Sequence, residues 1–245
     1  MAGPNTAVCV LPYEQVPVGS LGSYTPGVDL RERIRTKVPG SAEFYEESIR
    51  RWKARGTPAR VRSLLASGQP IKLDIGAGDT VRPGWVTLDI SEGCDLFWDL
   101  RNGIPFPDNS VQIVYSSHLF EHMDHAAGQS LLAEVRRVLV PGGEVSICVP
   151  NARLYIEAYL GITELEPDHD FWEPALDQKE GISLVNYIAY MAGEHKCLFD
   201  ADSLLARLNA AGFADVEARS FDASIDLPER EFESIYARGI KPAAG

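Results

Sequence analysis

Ile71-Lys-Leu-Asp-Ile-Gly-Ala-Gly78 is the stretch of this 245-residue sequence that decides the fold. Apolar residues alternate up to Ile75, which predicts a short strand, and the two glycines that follow predict a tight turn at its end. Gly76 and Gly78 carry no side chain, so the backbone of the turn can approach a ligand closely. The stretch therefore predicts a strand that leads into a ligand-facing turn.

Segments with strand character recur after this stretch. The predicted strands are residues 85–89, 94–100, 111–116, 144–149, 214–221 and 234–240. One helix is predicted over residues 129–139, and Pro141-Gly142-Gly143 is expected to end it. Asp200 is expected to cap a later helix that Gly212 closes. Strands that alternate with helices favour an α/β fold with a mostly parallel sheet that binds ligands at the carboxyl ends of its strands.

The segments on either side of the first strands differ from the rest of the chain. Residues 1–40 are rich in Gly and Pro and predict an extended arm. Residues 41–67 predict two helices that break at Gly56-Thr57-Pro58, with Ile49 and Trp52 among their apolar anchors.

A long segment without strand character, residues 151–197, is rich in aromatic and acidic residues. It follows the fifth predicted strand, and we interpret it as a substrate lid. The predicted organisation is therefore an arm with helices over residues 1–70, packing on a core domain over residues 71–245.

Composition excludes several classes of protein. Acidic residues number 35 against 23 basic ones, and the formal charge of −12 would repel a phosphate backbone. The four cysteines lie far apart without metal-ligand spacing, which predicts reduced thiols. No leader and no membrane-length apolar run is visible. We expect a cytoplasmic protein with no nucleic-acid and no membrane partner, and we allow for a homodimer.

Acidic residues recur where the first three predicted strands end, at Asp74, Asp89 and Asp99. One carboxylate can accept both hydroxyls of a ribose, and a second beside the glycine turn favours a cationic group. An adenosine ligand with a sulfonium or ammonium charge, lying along this edge of the sheet, would meet all three.

Five motifs in this order carry a resemblance to a known family. They are Leu73-Asp-Ile-Gly-Ala-Gly78, Trp85-Val-Thr-Leu-Asp89, Ile104-Pro-Phe-Pro-Asp-Asn-Ser110, Ser116-Ser-His-Leu-Phe-Glu-His122 and Val138-Leu-Val-Pro-Gly-Gly143, followed later by His195-Lys-Cys-Leu-Phe-Asp200. The sequence resembles class I, Rossmann-like methyltransferases, which use S-adenosylmethionine. The resemblance implies a doubly wound seven-stranded sheet, mostly parallel with the last strand antiparallel.

The resemblance also implies roles for individual residues. Asp74, Gly76 and Gly78 would face the methionine part of the donor, and Asp89 would hold its ribose. Asp99 and the backbone of Leu100 would meet the adenine. Ser117 and His118 would lie near the transferring methyl group.

One departure from the family concerns the connection between the first two strands. Only about nine residues separate them, fewer than the dozen or so that a helical crossover needs, so the first helix is predicted to shrink to a turn. The turn also lacks the third glycine of the dinucleotide fingerprint. Asp89 follows Gly78 sooner than the roughly 20 residues usual in that fingerprint, which makes an NAD site less favoured.

All five histidines lie between the fourth predicted strand and the end of the lid. A base there could take the proton of an acceptor hydroxyl during methyl transfer. We predict His118 and His195 as catalytic residues, whereas for His122 a structural hydrogen bond is at least as well supported. His118-Leu-Phe-Glu-His122 also spells an inverted zinc-protease motif, which we reject because it ends a buried strand and no carboxylate ligand follows at a recognisable interval.

One interpretation of Asp168-His169-Asp170 is that it binds a divalent cation such as Mg²⁺. An exposed acidic loop is the better-supported reading, so the metal ligands stay undefined. Phe171, Trp172, Tyr187 and Tyr190 suit stacking on a sugar ring, but lid helices would need them too.

We predict an S-adenosylmethionine-dependent O-methyltransferase that acts on a small hydroxylated acceptor. A saccharide is favoured because the residues of the motifs resemble those of family members that modify saccharides, which is support by association alone. The alternatives are an NAD-dependent oxidoreductase and a catalytically silent module that binds S-adenosylmethionine.

Overall fold

The structure is a computed structural model that describes residues 41–165, 171–172, 175–176 and 178–243. The chain divides into two compact units, residues 1–45 and 46–245. In the first unit only the beginning of one helix is described, and the predicted arm over residues 1–40 lies outside the described residues. The sheet belongs to the second unit.

Six α-helices and seven strands are described. The helices are α1 (Ser41–Lys53), α2 (Thr57–Ala66), α3 (His125–Val138), α4 (Ala152–Tyr159), α5 (Ile182–Tyr190) and α6 (Ala201–Ala210). The strands are β1 (Lys72–Ile75), β2 (Val86–Asp89), β3 (Leu96–Phe97), β4 (Val111–Ser117), β5 (Leu139–Pro150), β6 (Ala214–Arg219) and β7 (Ser234–Ile240).

The seven strands form one sheet in the order β3-β2-β1-β4-β5-β7-β6. Strands β1 to β5 pair in parallel, and β7 pairs antiparallel with both β5 and β6. This confirms the predicted α/β class, the Rossmann-like doubly wound sheet, and the antiparallel orientation of the last strand. The strand order reverses between β1 and β4, which is where open parallel sheets form their ligand crevice.

The apolar residues of the central strands are buried, and they are near-continuous in β5 between Val145 and Val149. Leu73, Ile75, Leu88 and Val114 have no exposed surface and belong to one hydrophobic cluster with Val61 of α2. Near-continuous apolar strands of this kind are typical of parallel sheets whose faces are covered by helices.

Acidic side chains cap the N-termini of two helices. The Asp124 side chain accepts a hydrogen bond from the backbone N–H of Ala127 at 2.8 Å. Asp200 forms a capping box with Ser203, which confirms the predicted start of α6. Each cap satisfies amides that have no partner inside the helix.

A second, smaller hydrophobic cluster lies in the segment predicted as a lid. Tyr155 of α4 and Tyr187 of α5 are buried in it together with Phe171 and Leu184. The described part of the segment contains α4, α5 and a 3-10 turn at Met191–Gly193, and no strand. Its role as a lid stays a prediction.

Several predicted element boundaries are wrong: α3 begins at His125 and not at residue 129, and β6 ends at Arg219 and not at residue 221. The third strand is not residues 94–100 but only Leu96–Phe97, because the Asp99 side chain accepts a hydrogen bond from the N–H of Arg101 and starts a 3-10 turn. Strand β5 begins at Leu139, directly after α3, so Pro141-Gly142-Gly143 does not end the helix. The backbone of that tripeptide instead exchanges hydrogen bonds with Lys241, both at 2.9 Å.

The helices before the sheet were predicted correctly, but one of their anchors was not. Trp52 is 64% exposed, so it does not pack into the core, whereas the neighbouring Ile49 is half-buried. Among the described residues, no helix combines the length and the apolar character that crossing a bilayer requires.

The connection between β1 and β2, residues 76–85, contains no helix, as predicted. Turns take its place, and the backbone N–H of Gly76 donates to the carbonyl of Leu88 at 2.9 Å. No helix N-terminus therefore faces a ligand at this turn.

A buried ion pair joins the last two strands to the centre of the sheet. The Asp226 carboxylate accepts hydrogen bonds from Arg219 at 2.5 and 2.7 Å and from the Tyr115 hydroxyl at 3.0 Å. The Asp226 side chain has no exposed surface and that of Arg219 is 12% exposed. Loss of one partner would leave the other charge buried without compensation.

We expect Asp226→Ala to lower the free energy of unfolding by about 3–5 kcal/mol, because Arg219 and Tyr115 both lose their acceptor. Urea denaturation measures the change. Glu217→Ala is the matched control, since Glu217 pairs with Arg238 across the same two strands with both side chains about half exposed. We expect the control substitution to lower the free energy of unfolding by less than about 1 kcal/mol. Equal losses for the two variants would contradict the structural role given to the buried pair.

Candidate active site

The candidate site lies where β1 and β4 run side by side. Ile75 of β1 is paired with Ser116 of β4 in the sheet. The residues that follow them, Gly76 on one strand and Ser117 and His118 on the other, therefore emerge at the same edge. This is the crevice that the reversal of strand order creates.

The turn after β1 depends on its glycines. Gly76 has φ +70°, and a Cβ atom there would lie 2.7 Å from a methyl carbon of Leu119. Gly78 has φ +58°, and its N–H donates to the Asp89 carboxylate at 3.0 Å. A side chain at Gly76 would be strained and would collide with its neighbour, so the sequence needs glycine there.

Asp89, at the end of β2, is half-buried beside this turn. Its Oδ2 accepts the Gly78 N–H, and its Oδ1 accepts the Ser91 N–H at 2.9 Å. Each oxygen of a carboxylate can accept two hydrogen bonds, so each retains capacity for a ligand hydroxyl. The structure thus brings together two of the predicted donor-binding residues, Gly78 and Asp89.

Asp74 is buried and faces an arginine that the sequence reasoning missed. Arg82 Nε lies 2.9 Å from Asp74 Oδ2, and both side chains are nearly inaccessible. The Arg82 guanidinium also stacks over the Tyr115 ring, 4.4 Å from its centroid, and contacts the carbonyl of Ile225. Burial raises the pKa of Asp74 to about 6, although the Arg82 charge opposes that shift.

Ser117 is engaged by a second unpredicted arginine. Arg230 Nη1 donates to the Ser117 carbonyl at 3.0 Å and to its hydroxyl at 2.9 Å. Together with Asp74, Gly76 and Arg82, these residues line a cavity of only about 10 Å³. The predicted methionine end of the donor site is therefore narrow and closed by the two arginines.

Asp99 and Leu100 are the predicted adenine contacts, and they lie apart from this cavity. Asp99 accepts hydrogen bonds from the Arg101 side chain and lies 3.6 Å from Arg50 of α1. The charge and hydrogen bonds of Arg101 keep the pKa of Asp99 below its usual range. Asp99 and Trp98 line a separate cavity of about 390 Å³ beside α1.

A larger cavity of about 720 Å³ shares Arg230 with the narrow one. Most of its described lining consists of histidines, acidic residues and aromatic rings. The lining residues are His118, His122, His195, Glu121, Glu194, Glu233, Phe171, Trp172 and Tyr187, together with Pro150, Met191 and Arg230. The two residues predicted as catalytic, His118 and His195, are therefore brought into one cavity. We call it the acceptor-side cavity.

His118 adopts a backbone conformation that is unusual for a residue with a side chain, with φ +51°. The ring Nε2 of His118 is 2.8 Å from the Ser234 hydroxyl, and the backbone N–H of His118 donates to the carbonyl of Cys148 at 3.0 Å. Burial lowers the pKa of His118 to about 3, so the ring is neutral at physiological pH. Backbone strain of this kind concentrates at functional sites.

Glu121, His122 and His195 converge in the same cavity. The Glu121 side chain is 3% exposed, and burial raises its pKa to about 8. His122 Nδ1 is 3.1 Å from the carbonyl of Glu194, which is the kind of structural hydrogen bond considered for it. Burial lowers the pKa of His195, and its Nδ1 is 2.7 Å from the carbonyl of Ile188.

The predicted Mg²⁺ motif, Asp168-His169-Asp170, lies outside the described residues. Phe120–His122 forms a 3-10 turn directly after β4 and not the longer helix on which an inverted zinc-protease motif would place two ligands. The sequence reasoning did not associate Glu121 with His195, which are 74 residues apart in the chain. It also missed Arg230, since nothing in the local sequence marks that residue.

Comparison with known proteins supports one family over part of the chain. Residues 98–147, about a fifth of the chain, match a family model described as a methyltransferase domain. The match covers β4, α3 and most of β5. No match to a curated protein was found.

Several solved structures of methyltransferases are similar to the chain. The methyltransferase solved with the Trm112 activator of Haloferax volcanii is 17% identical, with a TM-score of 0.46 over 79% of this chain and 97% of that chain. A SAM-dependent methyltransferase from Archaeoglobus fulgidus is also 17% identical, with a TM-score of 0.45 over 87% and 100%. One from Thermotoga maritima is 16% identical, with a TM-score of 0.43 over 85% and 98%.

The raised pKa of Asp74 predicts a pH-dependent stability. Below its ordinary pKa of 3.8 the side chain is protonated in both states, and between 3.8 and about 6 only the unfolded state ionises. Relative to Asp74→Asn, the free energy of unfolding should therefore fall by about 3 kcal/mol as the pH rises through that window, and stay constant above it. Denaturation curves of both proteins at several pH values measure the difference, and parallel profiles would contradict it.

Proposed function

We propose that this protein is an S-adenosylmethionine-dependent O-methyltransferase that acts on a small hydroxylated acceptor, with a saccharide as the favoured class. One observation carries the proposal: a glycine turn with acidic partners meets a wide histidine-lined cavity at the end of β4. Arg230 lines both the narrow cavity at the turn and the acceptor-side cavity. Two substrates bound on either side of Ser117 would therefore face each other.

The residues at the turn fit the chemistry of the donor. Asp89 contacts the turn through Oδ2 and Ser91 through Oδ1, and both oxygens keep capacity for the paired hydroxyls of a ribose. Asp74 and Arg82 offer opposite charges that complement the ammonium and carboxylate of an amino acid. Because the cavity beside them is small, Arg82 or Arg230 must shift when the donor enters.

The adenine is assigned to the cavity at the end of β3. Asp99 and Trp98 line this space, and the Trp98 Nε1–H donates to the carbonyl of Gly103 at 2.9 Å, which fixes the indole. A fixed aromatic surface and nearby backbone groups are what a flat heterocycle requires. Leu100, the next residue, would supply the backbone contact.

The acceptor-side cavity supports a sugar as the acceptor class. Phe171, Trp172 and Tyr187 provide aromatic surface, and carboxylates and imidazoles lie opposite in the same lining. The Tyr187 hydroxyl accepts a hydrogen bond from the backbone N–H of Trp172 at 3.1 Å, and the Tyr187 ring packs edge-on against Phe171. Apolar ring faces beside hydrogen-bonding groups suit a ring that carries C–H surfaces and hydroxyls.

His118 is proposed to hold the acceptor hydroxyl in line with the methyl group. A neutral imidazole can accept the hydroxyl hydrogen bond, and its position beside Ser117 brings it next to the donor side. In the transfer, the bond from acceptor oxygen to methyl carbon forms while the bond from sulfur to methyl carbon breaks. The hydroxyl proton passes to solvent water, and the sulfonium becomes a neutral thioether. Alignment of this kind can supply several kcal/mol of the barrier reduction.

The direct test is transfer of a labelled methyl group from S-adenosylmethionine to a panel of mono- and oligosaccharides. Product formation with a saccharide supports the proposal, and the site of methylation identifies the acceptor atom. Calorimetry with S-adenosylmethionine and with NAD accompanies the screen. Binding of NAD alone would favour an oxidoreductase, and donor binding without transfer to any acceptor would favour a silent module, so either result overturns the proposed activity.

We expect Asp89→Ala to weaken the binding of S-adenosylmethionine by at least about tenfold, because a bidentate charge-assisted contact contributes about 1.5–3 kcal/mol. Calorimetry measures the dissociation constant. Asp95→Ala is the matched control: Asp95 also accepts a backbone N–H, from Thr87 at 3.1 Å, but belongs to the hydrogen-bonding between β2 and β3. Unchanged affinity in the Asp89 variant, or equal weakening in both, would refute the ribose assignment.

We expect His118→Ala to lower kcat by roughly 10²-fold or more while the donor dissociation constant stays within about twofold, since the imidazole acts on the acceptor. Initial rates at saturating donor measure the effect. His125→Ala serves as the control, because His125 is exposed at the start of α3 and outside the cavity. A variant that kept wild-type turnover would exclude a catalytic role for His118.

A further inference from the structure

Three side chains in the acceptor-side cavity converge on one point. Glu121, His122 and His195 each offer a ligand atom, and these atoms lie within 4.8 Å of one another. The two imidazole rings meet edge-to-face with centroids 5.3 Å apart. Within the described part of the chain, no other group of three His, Cys, Asp or Glu side chains meets this spacing.

The hydrogen bonds of both histidines leave Nε2 as the nitrogen that a metal can bind. His122 Nδ1 and His195 Nδ1 lie 3.1 and 2.7 Å from backbone carbonyls, and a carbonyl can only accept, so each Nδ1 carries the proton. Each Nε2 therefore has a free lone pair. His122 Nε2 is 3.9 Å from Glu121 Oε1. Backbone carbonyls that fix the histidine tautomer in this way are the usual outer shell of metal sites.

The Glu121 carboxylate gives an independent reason for a cation. The residue is only 2% exposed, and beyond its own backbone amide neither carboxylate oxygen has a hydrogen-bond partner among the described residues. A buried carboxylate without a partner is costly to fold. Its own carbonyl accepts the N–H groups of Lys196 and Cys197 at 2.7 and 3.1 Å, which ties the turn after β4 to the segment carrying His195.

We propose that Glu121, His122 and His195 bind a divalent transition-metal cation of the Zn²⁺ type in the acceptor-side cavity. Two imidazole nitrogens and one carboxylate oxygen are ligands that Zn²⁺ prefers, whereas Mg²⁺ prefers oxygen ligands alone. Ligand-to-metal distances of about 2.1 Å in a tetrahedral site require ligand atoms roughly 3.4 Å apart. The ligand atoms, now within 4.8 Å of one another, would have to move closer together when the cation binds.

Three protein ligands leave an open position that faces the cavity, and the role given to that position rests on the proposed function. An acceptor hydroxyl bound there becomes more acidic, because the cation stabilises the oxyanion. The hydroxyl loses its proton to water, its oxygen forms the bond to the methyl carbon, and the bond from that carbon to sulfur breaks. The sulfonium thereby becomes a neutral thioether.

Titration calorimetry of chelator-treated full-length protein with Zn²⁺ tests the site. We expect one Zn²⁺ per chain, and affinity lowered by at least about tenfold in each of Glu121→Gln, His122→Gln and His195→Gln. His125→Gln is the control for adventitious binding to an exposed histidine, and its affinity should match that of the wild type. Absence of Zn²⁺ binding, or equal affinity in all four variants, would overturn the proposal.

Thermal unfolding separates a metal ligand from a merely structural residue. Zn²⁺ should raise the Tm of the wild type and of His125→Gln but not that of Glu121→Gln. In metal-free protein Glu121→Gln should be at least as stable as the wild type, because it removes a buried carboxylate that lacks a partner. If Zn²⁺ still raised the Tm of Glu121→Gln, the assignment of Glu121 as a ligand would be contradicted. A much lower Tm of metal-free Glu121→Gln than of the metal-free wild type would contradict it as well.

The outcomes distinguish this inference from the proposed function. Methyl transfer at full rate in protein shown to be metal-free would leave the methyltransferase intact and overturn the catalytic use of the metal. Binding of Zn²⁺ that depends on all three ligands, in a protein that neither binds S-adenosylmethionine nor transfers a methyl group, would leave the metal site intact and overturn the methyltransferase.

Discussion

The parallel pairing of β1 with β4 is the constraint on which the rest of the structure depends. It brings the end of the first strand, with its glycine turn, next to the end of the fourth, with Ser117 and His118. These segments are about 40 residues apart in the chain, and only the sheet places them at one edge. The narrow cavity at the turn and the wider cavity beyond Arg230 both follow from this pairing.

The buried acidic side chains of the protein differ in which groups surround them. Asp226 is fully compensated by Arg219 and Tyr115, and it joins the last two strands to the sheet. Asp74 is paired with Arg82 at the glycine turn, where a ligand with both charges could replace that pairing. Glu121, by contrast, is buried without such a partner in the described part of the chain. Asp226 and Asp74 thus have arginine partners, whereas Glu121, whose pKa burial raises to about 8, lies in a cavity.

Much of the fold was predictable because the relevant signals are local. Apolar runs identified the sheet strands, and the acidic cap at Asp200 located the start of α6. The shortened connection after β1 followed from counting residues. One error had a local cause, because Asp99 accepts the Arg101 N–H and turns the chain after β3. Another had a tertiary cause, because backbone hydrogen bonds to Lys241 draw the segment after α3 into β5.

The sequence by itself determined the strand and helix pattern, the glycine turn and the acidic residues that follow the strands, because periodicity, backbone freedom and capping act over a few residues. It also grouped His118 and His195 on one side of the fold. Only the tertiary structure decided that Arg82 faces Asp74, that Arg230 lies between two cavities, and that Glu121 meets His195. Arg230 and His195 come from segments far along the chain, and Arg82 returns to Asp74 only because of the turns after β1, so the geometry of all three contacts depends on how the sheet and its connections pack.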